Sequence, residues 1–392
     1  MNVLVVHHRW GYGGGVVVFY YTVKALRDAG FNVIVATTDK PDLKSYEDVV
    51  GEPFPEGVKL YSLAPFTTRM FTIYKGFILT LAFRRFNYDV AVVTHGYAFK
   101  AKAPLIYYMH FPPVLTADPV WNPEYSKYSL KHPSVSGFRG LALSVPWWLY
   151  SRPYEFLVKK LYKPMLESAT RILVNSSFTL KALKYTLSTF KVDATIMDKT
   201  RIVYPPLPRI NEYVKARSPE KLYCAATIGR FSPEKRYELI LETAKLTPGV
   251  EYYIAGGIYG RVSRSYYEKI KREAPPNVRV IANIPHNLKL ELLSKCAAYI
   301  HTMVGEHFGI APLEAIAAGA TPIVPTFSGT WTDICLEGEY CHGYSKAEPR
   351  ILAEKILTAL EKPKEASLEH IEKFSPQKFA KEIVAEINSL AW

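Results

Sequence analysis

Across 392 residues the chain has no apolar run approaching the roughly 18 residues that a membrane-spanning helix needs. Its first apolar stretch, Val3 to Val6, is four residues long and runs into His7-His8-Arg9, which offers no secretory leader to read. The expected location is therefore the cytoplasm, with attachment to the inner face of a membrane as a variant of it. Cysteine is scarce: four residues, at 224, 296, 335 and 341, with no C-x-x-C pair. They read as small core residues in a reducing compartment. Cys335, Cys341 and His342 lack zinc-type spacing, so no metal site is expected. Acidic residues are few beside basic ones, 36 against 49, which leaves a net charge of +13. Such a balance favours anionic partners: nucleotide phosphates, an acidic lipid surface or nucleic acid. Nucleic acid is the weakest of these, because no recognisable binding module is present.

What the chain does have is length for about two domains and a regular alternation of strand and helix patterns. Residues 2–6 read as a strand, 17–29 as a helix ended by Gly30, and 32–37 as the next strand. That is a βαβ unit with strands buried on both faces. Further strands are expected at 89–94, 103–109, 171–175 and 201–204. Pro205-Pro206-Leu207-Pro208 is the best linker, since three prolines in four residues resist both helix and central strand. Beyond it, strands are expected at 223–228, 251–255, 278–281, 298–302 and 322–325, with helices at 235–246, 264–273, 288–296 and 312–318. The alternation predicts an α/β protein with two Rossmann-like, doubly wound parallel-sheet domains facing a central cleft.

The most informative stretch is Gly305-Glu306-His307-Phe308-Gly309-Ile310-Ala311-Pro312-Leu313-Glu314. Pro312 suits the first position of a helix and Gly319 its left-handed end, which puts Glu314 in the first turn and Glu306 in the preceding loop. Amides from Phe308 through Gly309 and Ile310 to Ala311 then lie at a helix N-terminus, where anions are favoured. A loop carboxylate beside an amide cradle suits a ligand with both hydroxyls and phosphates, and a nucleotide sugar is such a ligand.

Arg230 and Lys235 follow strand 223–228 and Gly229, at the carboxyl end where α/β ligands bind. Two cations there can stabilise the negative charge that builds on a departing diphosphate. Taken alone, they read equally well as a solvated start to a basic helix. Gly256 and Gly257 let the backbone approach a nucleotide after the next strand. Gly14 and Gly15, in the loop Gly11-Tyr12-Gly13-Gly14-Gly15, do so after the first, although Val16 breaks the dinucleotide fingerprint. His110 ends a strand ahead of Pro112 and Pro113 and is placed to face a cleft. His7, His8 and His95 read as cleft-lining or structural. Asn175-Ser176-Ser177 spells a glycosylation sequon but is more simply a helix cap.

The spacing Glu306-x7-Glu314 resembles the signature of the retaining GT-B glycosyltransferases of group 1, also called family 4. Gly229-Arg230-Phe231-Ser232-Pro233-Glu234-Lys235 resembles that family's G-R-x-x-x-x-K segment, and Ile254-Ala255-Gly256-Gly257 the strand and glycine turn after it. Tyr108-Met109-His110-Phe111-Pro112 and Val174-Asn175-Ser176-Ser177-Phe178-Thr179 resemble the mannosyltransferases that build the dolichol-linked oligosaccharide. The likeness is weakest at 40–105 and 115–165.

It implies a GT-B fold with domains at 1–205 and 206–376, and a final helix, 377–392, crossing back to the first. It implies a nucleotide diphosphate sugar donor, no cofactor and no metal. Glu306 would hold donor-sugar hydroxyls, Glu314 the ribose hydroxyls, and Asn283 and Ile284 would frame the base. His110 would lie near the reacting carbon, completing a catalytic set with Glu306, Arg230 and Lys235. GDP-mannose is the first donor to try, and a lipid-linked glycan the expected acceptor. Where relatives carry a charged residue after the first glycine loop, this chain has Val16-Val17-Val18. A soluble-glycan synthase or a pyridoxal-dependent phosphorylase of the same fold is the alternative enzyme, and a basic nucleic-acid-binding protein the alternative from another class.

Residues 67–102 hold six basic side chains against one acid, around Phe77-Ile78-Leu79-Thr80-Leu81-Ala82-Phe83. Residues 126–164 hold seven against one, with Trp147-Trp148-Leu149-Tyr150 among them. Basic side chains beside aromatics suit an anionic membrane surface.

Overall fold

A computed structural model describes residues 1–8, 13–39, 43–64, 74–97, 100–123, 126, 135–136, 144–145 and 147–390. Gly11, Tyr12, Arg69, Lys127, Lys131, Arg139 and the side chains of Trp147 to Tyr150 lie outside that description. The chain divides into two compact units. The first comprises 1–121, 129–208 and 373–392; the second comprises 122–128 and 209–372.

In the first unit, β1 (Asn2–His7), β2 (Asn32–Thr37), β3 (Lys59–Ser62), β4 (Val90–His95) and β5 (Leu105–Met109) lie in one parallel sheet. A two-residue antiparallel pair follows, β6 (Val135–Ser136) with β7 (Ser144–Val145). Then β8 (Arg171–Val174) and β9 (Thr200–Ile202) complete the large sheet in the order β3-β2-β1-β4-β5-β8-β9. Val3, Leu4, Val5 and Val6 are wholly buried, as the unbroken apolar run requires of a strand covered on both faces. The helix Gly14–Asp28 begins three residues earlier than its apolar pattern, because Gly13 takes φ 150° and turns the chain straight in. The C-terminal helix Pro376–Asn388 packs on this helix within the same unit. Ser176 caps helix Ser177–Thr189 by accepting from the Thr179 amide at 3.0 Å, and Asn175 is buried. The proline stretch is not loose: Leu207 is fully buried and its amide donates to Phe374 O at 2.7 Å.

The second unit carries β10 (Leu222–Ile228), β11 (Glu251–Gly256), β12 (Val278–Ala282), β13 (Cys296–Ile300), β14 (Thr321–Pro325) and β15 (His342–Tyr344). They form a parallel sheet in the order β12-β11-β10-β13-β14-β15. Both large sheets reverse their strand order once, between β1 and β4 and between β10 and β13. Ligands of open α/β sheets bind at such a reversal, outside the carboxyl ends of the strands.

Three expectations are corrected. The cysteines are not free thiols: Cys224 bridges Cys296 and Cys335 bridges Cys341. Cys224 and Cys296 stand on the neighbouring strands β10 and β13 with Cα atoms 4.9 Å apart, a pairing across 72 residues that spacing cannot disclose. All four are buried, so access of reductants to either bridge is restricted. The helix at Pro312 starts earlier, at Ile310, because Gly309 adopts φ 103° as its cap. Pro312 is then the third helical residue, where an absent N–H still costs nothing, and Glu314 lies in the second turn. Helix 235–246 begins at Tyr237, since Lys235 ends a 3₁₀ turn and Arg236 is left-handed at φ 51°.

The run Phe77 to Phe83 is mainly interior. Leu79, Ala82 and Phe83 are fully buried, while Leu81 with Arg84 and Arg85 faces solvent. Among the described residues no helix is long and apolar enough to cross a membrane.

Candidate active site

The reversal in the second unit gathers most of the predicted side chains. Gly229, Arg230 and Lys235 leave the end of β10, and Glu306 follows β13. Lys235 Nζ lies 3.1 Å from Glu306 Oε2 and 3.5 Å from Met303 Sδ. The Lys235 carbonyl is also held by Thr302 Oγ1. His301 Nε2 sits 3.4 Å from the same Glu306 oxygen, an electrostatic contact longer than a well-formed hydrogen bond.

Burial opposes the charge on Glu306, but Lys235, His301 and His307 outweigh it and hold the carboxyl well below the usual carboxylate range. Burial lowers the pKa of His301 and pushes that of His307 down to about 4, so both are neutral near pH 7. Arg230 is different. It is more than half exposed and 3.6 Å from Glu234, which also accepts from Ser232 at 2.6 Å. An exposed pair of that kind contributes little to stability and leaves the guanidinium able to turn toward a ligand.

The loop carrying Glu306 is braced from behind. Gly305 N donates to Phe327 O at 2.9 Å, Gly329 N to Glu306 O at 2.7 Å, and Thr330 Oγ1 to Phe308 O at 2.7 Å. A Cβ on Gly309 would collide with Thr330 Oγ1, so both φ and space demand glycine there. With the loop fixed, the amides of Ile310 and Ala311 open the helix Ile310–Ala317.

Gly256 has a packing reason beyond ligand approach, because a Cβ there would strike the Gly229 carbonyl. The two glycine turns thus press backbone to backbone, joined by Gly229 N to Ala255 O at 3.0 Å and Phe231 N to Gly257 O at 3.1 Å. Asn283, at φ 50°, donates its amide to Gly256 O and accepts from Ile258 N at 3.0 Å. Ile284 follows, ahead of Pro285 and the helix His286–Lys295.

Glu314 is held by a different set of side chains from Glu306. Its Oε1 accepts from Tyr213 OH at 2.9 Å and from Lys289 Nζ at 2.8 Å. Tyr213, Lys289, His301 and Met303 were not singled out in the sequence. The one signal for His301 was a histidine at the end of strand 298–302, five residues before Glu306.

In the first unit, a Cβ on Gly15 would stand 3.6 Å from His110 Nε2, so the first-strand glycines and His110 belong to one place. His110 Nε2 donates to Thr94 O at 2.8 Å. His7 and His95 end the two strands of the reversal with ring centroids 5.5 Å apart, and His8 stacks on His95 at 5.6 Å. Among the described residues no three histidines, cysteines or acids are arranged to hold a metal ion.

Comparison with known proteins gives two family matches: Glycosyltransferase Family 4 over residues 12–206 and Glycosyl transferases group 1 over 209–377. The chain is 27% identical over 265 residues to the GDP-Man:Man(3)GlcNAc(2)-PP-Dol alpha-1,2-mannosyltransferase of Homo sapiens, covering 60% of this chain and 52% of that protein. It is 26% identical over 331 residues to the Mus musculus enzyme of the same name, covering 74% and 63%. The chain spans about half the length of the curated relatives it matches. Among solved structures, sucrose-phosphate synthase from Thermosynechococcus elongatus superposes with a TM-score of 0.68 at 16% identity, covering 100% of this chain and 99% of that one. Anabaena Alr3699/HepE in complex with UDP-glucose gives 0.65 at 16% identity, covering 100% of each chain. These likenesses give the fold: two parallel-sheet units of the GT-B type.

Proposed function

We propose that this chain, which belongs to the group 1 glycosyltransferases, moves a hexose from a nucleotide diphosphate sugar to an acceptor hydroxyl with retention and without a metal or cofactor. The observation that carries this is the Lys235–Glu306 pair at the β10/β13 reversal, 3.1 Å across and set beside a helix N-terminus. The bond from the anomeric carbon to the phosphate oxygen breaks, and the electron pair leaves with the diphosphate. Lys235 and Arg230 stabilise that charge, which is the work a divalent ion does elsewhere. The acceptor oxygen bonds to the same face of the anomeric carbon, and its proton passes to the departing phosphate. Glu306 orients the sugar through its hydroxyls.

GDP-mannose is the first donor and a lipid-linked glycan the acceptor class, by likeness to the curated relatives. A thermal-stability panel of GDP-mannose, UDP-glucose, UDP-GlcNAc, ADP-glucose and NADH, with EDTA present, tests this. One sugar nucleotide should stabilise the fold by mass action, by about 2.7 kcal/mol at about a hundredfold excess over Kd, and so raise the melting point. A flat response to every sugar nucleotide, with the protein folded, counts against the donor site.

We further propose that the enzyme works from the cytoplasm and rests its first unit on an anionic membrane. Phe156 is 66% exposed on the helix Trp147–Ser168. Arg152, Lys159 and Lys163, at helical spacing on the same stripe, are exposed beside it. A basic stripe around one aromatic suits anionic headgroups. Vesicles containing phosphatidylserine should sediment the protein at low salt and release it as salt rises, and Phe156→Ala with Lys159→Glu should weaken the binding. No sedimentation at low salt would sink the membrane reading.

A further inference from the structure

Glu314 is not left to cap its helix. Three helices converge on its carboxylate: Ile310–Ala317, which carries it, Ile210–Lys215, which supplies Tyr213, and His286–Lys295, which supplies Lys289. Tyr213 and Lys289 reach the same oxygen, Oε1, at 2.9 and 2.8 Å. The Lys289 ammonium also stands 5.4 Å over the Tyr213 ring, so the two donors are locked to each other as well as to the carboxylate. Tyr213 is buried, and its neighbour His286 bonds Glu212 of the same helix at 2.7 Å, which fixes this corner further. Every bond that the described residues make to the Glu314 side chain falls on Oε1.

We infer that Tyr213 and Lys289 are positioning residues: they fix Glu314 by one oxygen so that the other is aimed at the ribose diol of the bound nucleotide and discriminates ribose from deoxyribose. This rests on the donor reading given above. An ionised carboxylate only accepts hydrogen bonds, and its second oxygen can take two from a vicinal diol. A free glutamate would have to be ordered on binding, at a cost in side-chain entropy. One already tied to two donors forgoes that cost, and a ligand lacking the hydroxyls leaves it unsatisfied.

The test is calorimetric binding of GDP, UDP and ADP, each as ribose and as 2′,3′-dideoxyribose forms, to the wild type and to Lys289→Met, Lys289→Arg and Tyr213→Phe. In the wild type the best-bound diphosphate should lose about tenfold or more in affinity on removal of its hydroxyls. Lys289→Met should shrink that ratio toward one, chiefly by weakening the ribose form, and Lys289→Arg should restore most of it. Tyr213→Phe should shrink it in part. A general loosening of the fold would weaken ribose and dideoxyribose forms alike and leave the ratio intact, and that outcome overturns the inference. A wild type that binds diphosphates without discriminating overturns it too, while the donor reading stands. A wild type that binds none overturns both.

Discussion

Lys235→Ala lowers kcat/KM by about a hundredfold in a protein that remains folded, the range found for loss of one electrostatic stabiliser. Two effects combine. The leaving diphosphate loses the cation that, among the described residues, is held against Glu306, Arg230 being more than half exposed and shared with Glu234. Glu306 loses the ammonium 3.1 Å from its Oε2, while the burial that opposes its charge is unchanged. Its carboxyl therefore moves up toward the ordinary glutamate range. The folded pKa in the wild type lies below the unfolded value, so the pair's contribution to stability is fully present above the unfolded pKa and is lost as pH falls through the folded one. In the variant the folded pKa lies closer to the unfolded one, so that contribution is smaller and is already gone at a higher pH, and the acid limb of the rate profile shifts upward with it. Lys235→Arg keeps the charge but not the compact point geometry, and recovers part of the rate. Near-normal turnover by folded Lys235→Ala would remove the phosphate role assigned to this residue.

What could be read from the sequence follows a physical division. Strands buried on both faces announce themselves as apolar runs, which is why β1, β10 and β13 stand within a residue or two of where they were expected. Glycines that end helices, such as Gly30 and Gly319, are legible because few other residues accept their φ. Yet Gly309 shows the limit. A proline at the first helical position was the simpler local reading of Pro312, and only the tertiary contact of Gly309 with Thr330 explains why the helix opens earlier.

Arg230, Lys235 and Glu306 are grouped by resemblance and by their places after expected strands; the strand order that brings Lys235 to Glu306, and leaves Arg230 with Glu234, is not local information. Nothing local marks Tyr213, a tyrosine that meets a glutamate 101 positions away, and the only local mark of His301 is its place near a strand end before Glu306. The apolar and basic run around Phe77 misled for a related reason: composition does not say which face is inside, and Leu79 and Phe83 turn inward while Arg84 and Arg85 turn out.

Replacing Cys224 and Cys296 together with alanine should destabilise the protein by about 4 kcal/mol, as the chain-entropy account gives for a loop of this size. The bridge closes 72 residues, so cutting it releases a large part of the unfolded second unit from constraint. The Cys335–Cys341 bridge spans only six, and by the same reasoning its loss should cost about 2 kcal/mol. The order of the two is the sharper claim, because strain and residual structure disturb the absolute values more than the ranking.

Urea titration of the second unit's transition, in each double variant and in the wild type with and without reductant, measures both. A thiol count on the denatured, unreduced protein supplies the premise. Four titratable thiols there would mean that neither bridge forms in solution, and equal losses from the two double variants would mean that loop size does not govern their contribution. The positions matter for function as well as for stability. The strands joined by the longer bridge, β10 and β13, are the two whose carboxyl ends lead to Lys235 and Glu306. A bridge at their opposite ends resists the separation of the strands that flank the site, so its removal should broaden the unfolding transition before it touches the catalytic pair.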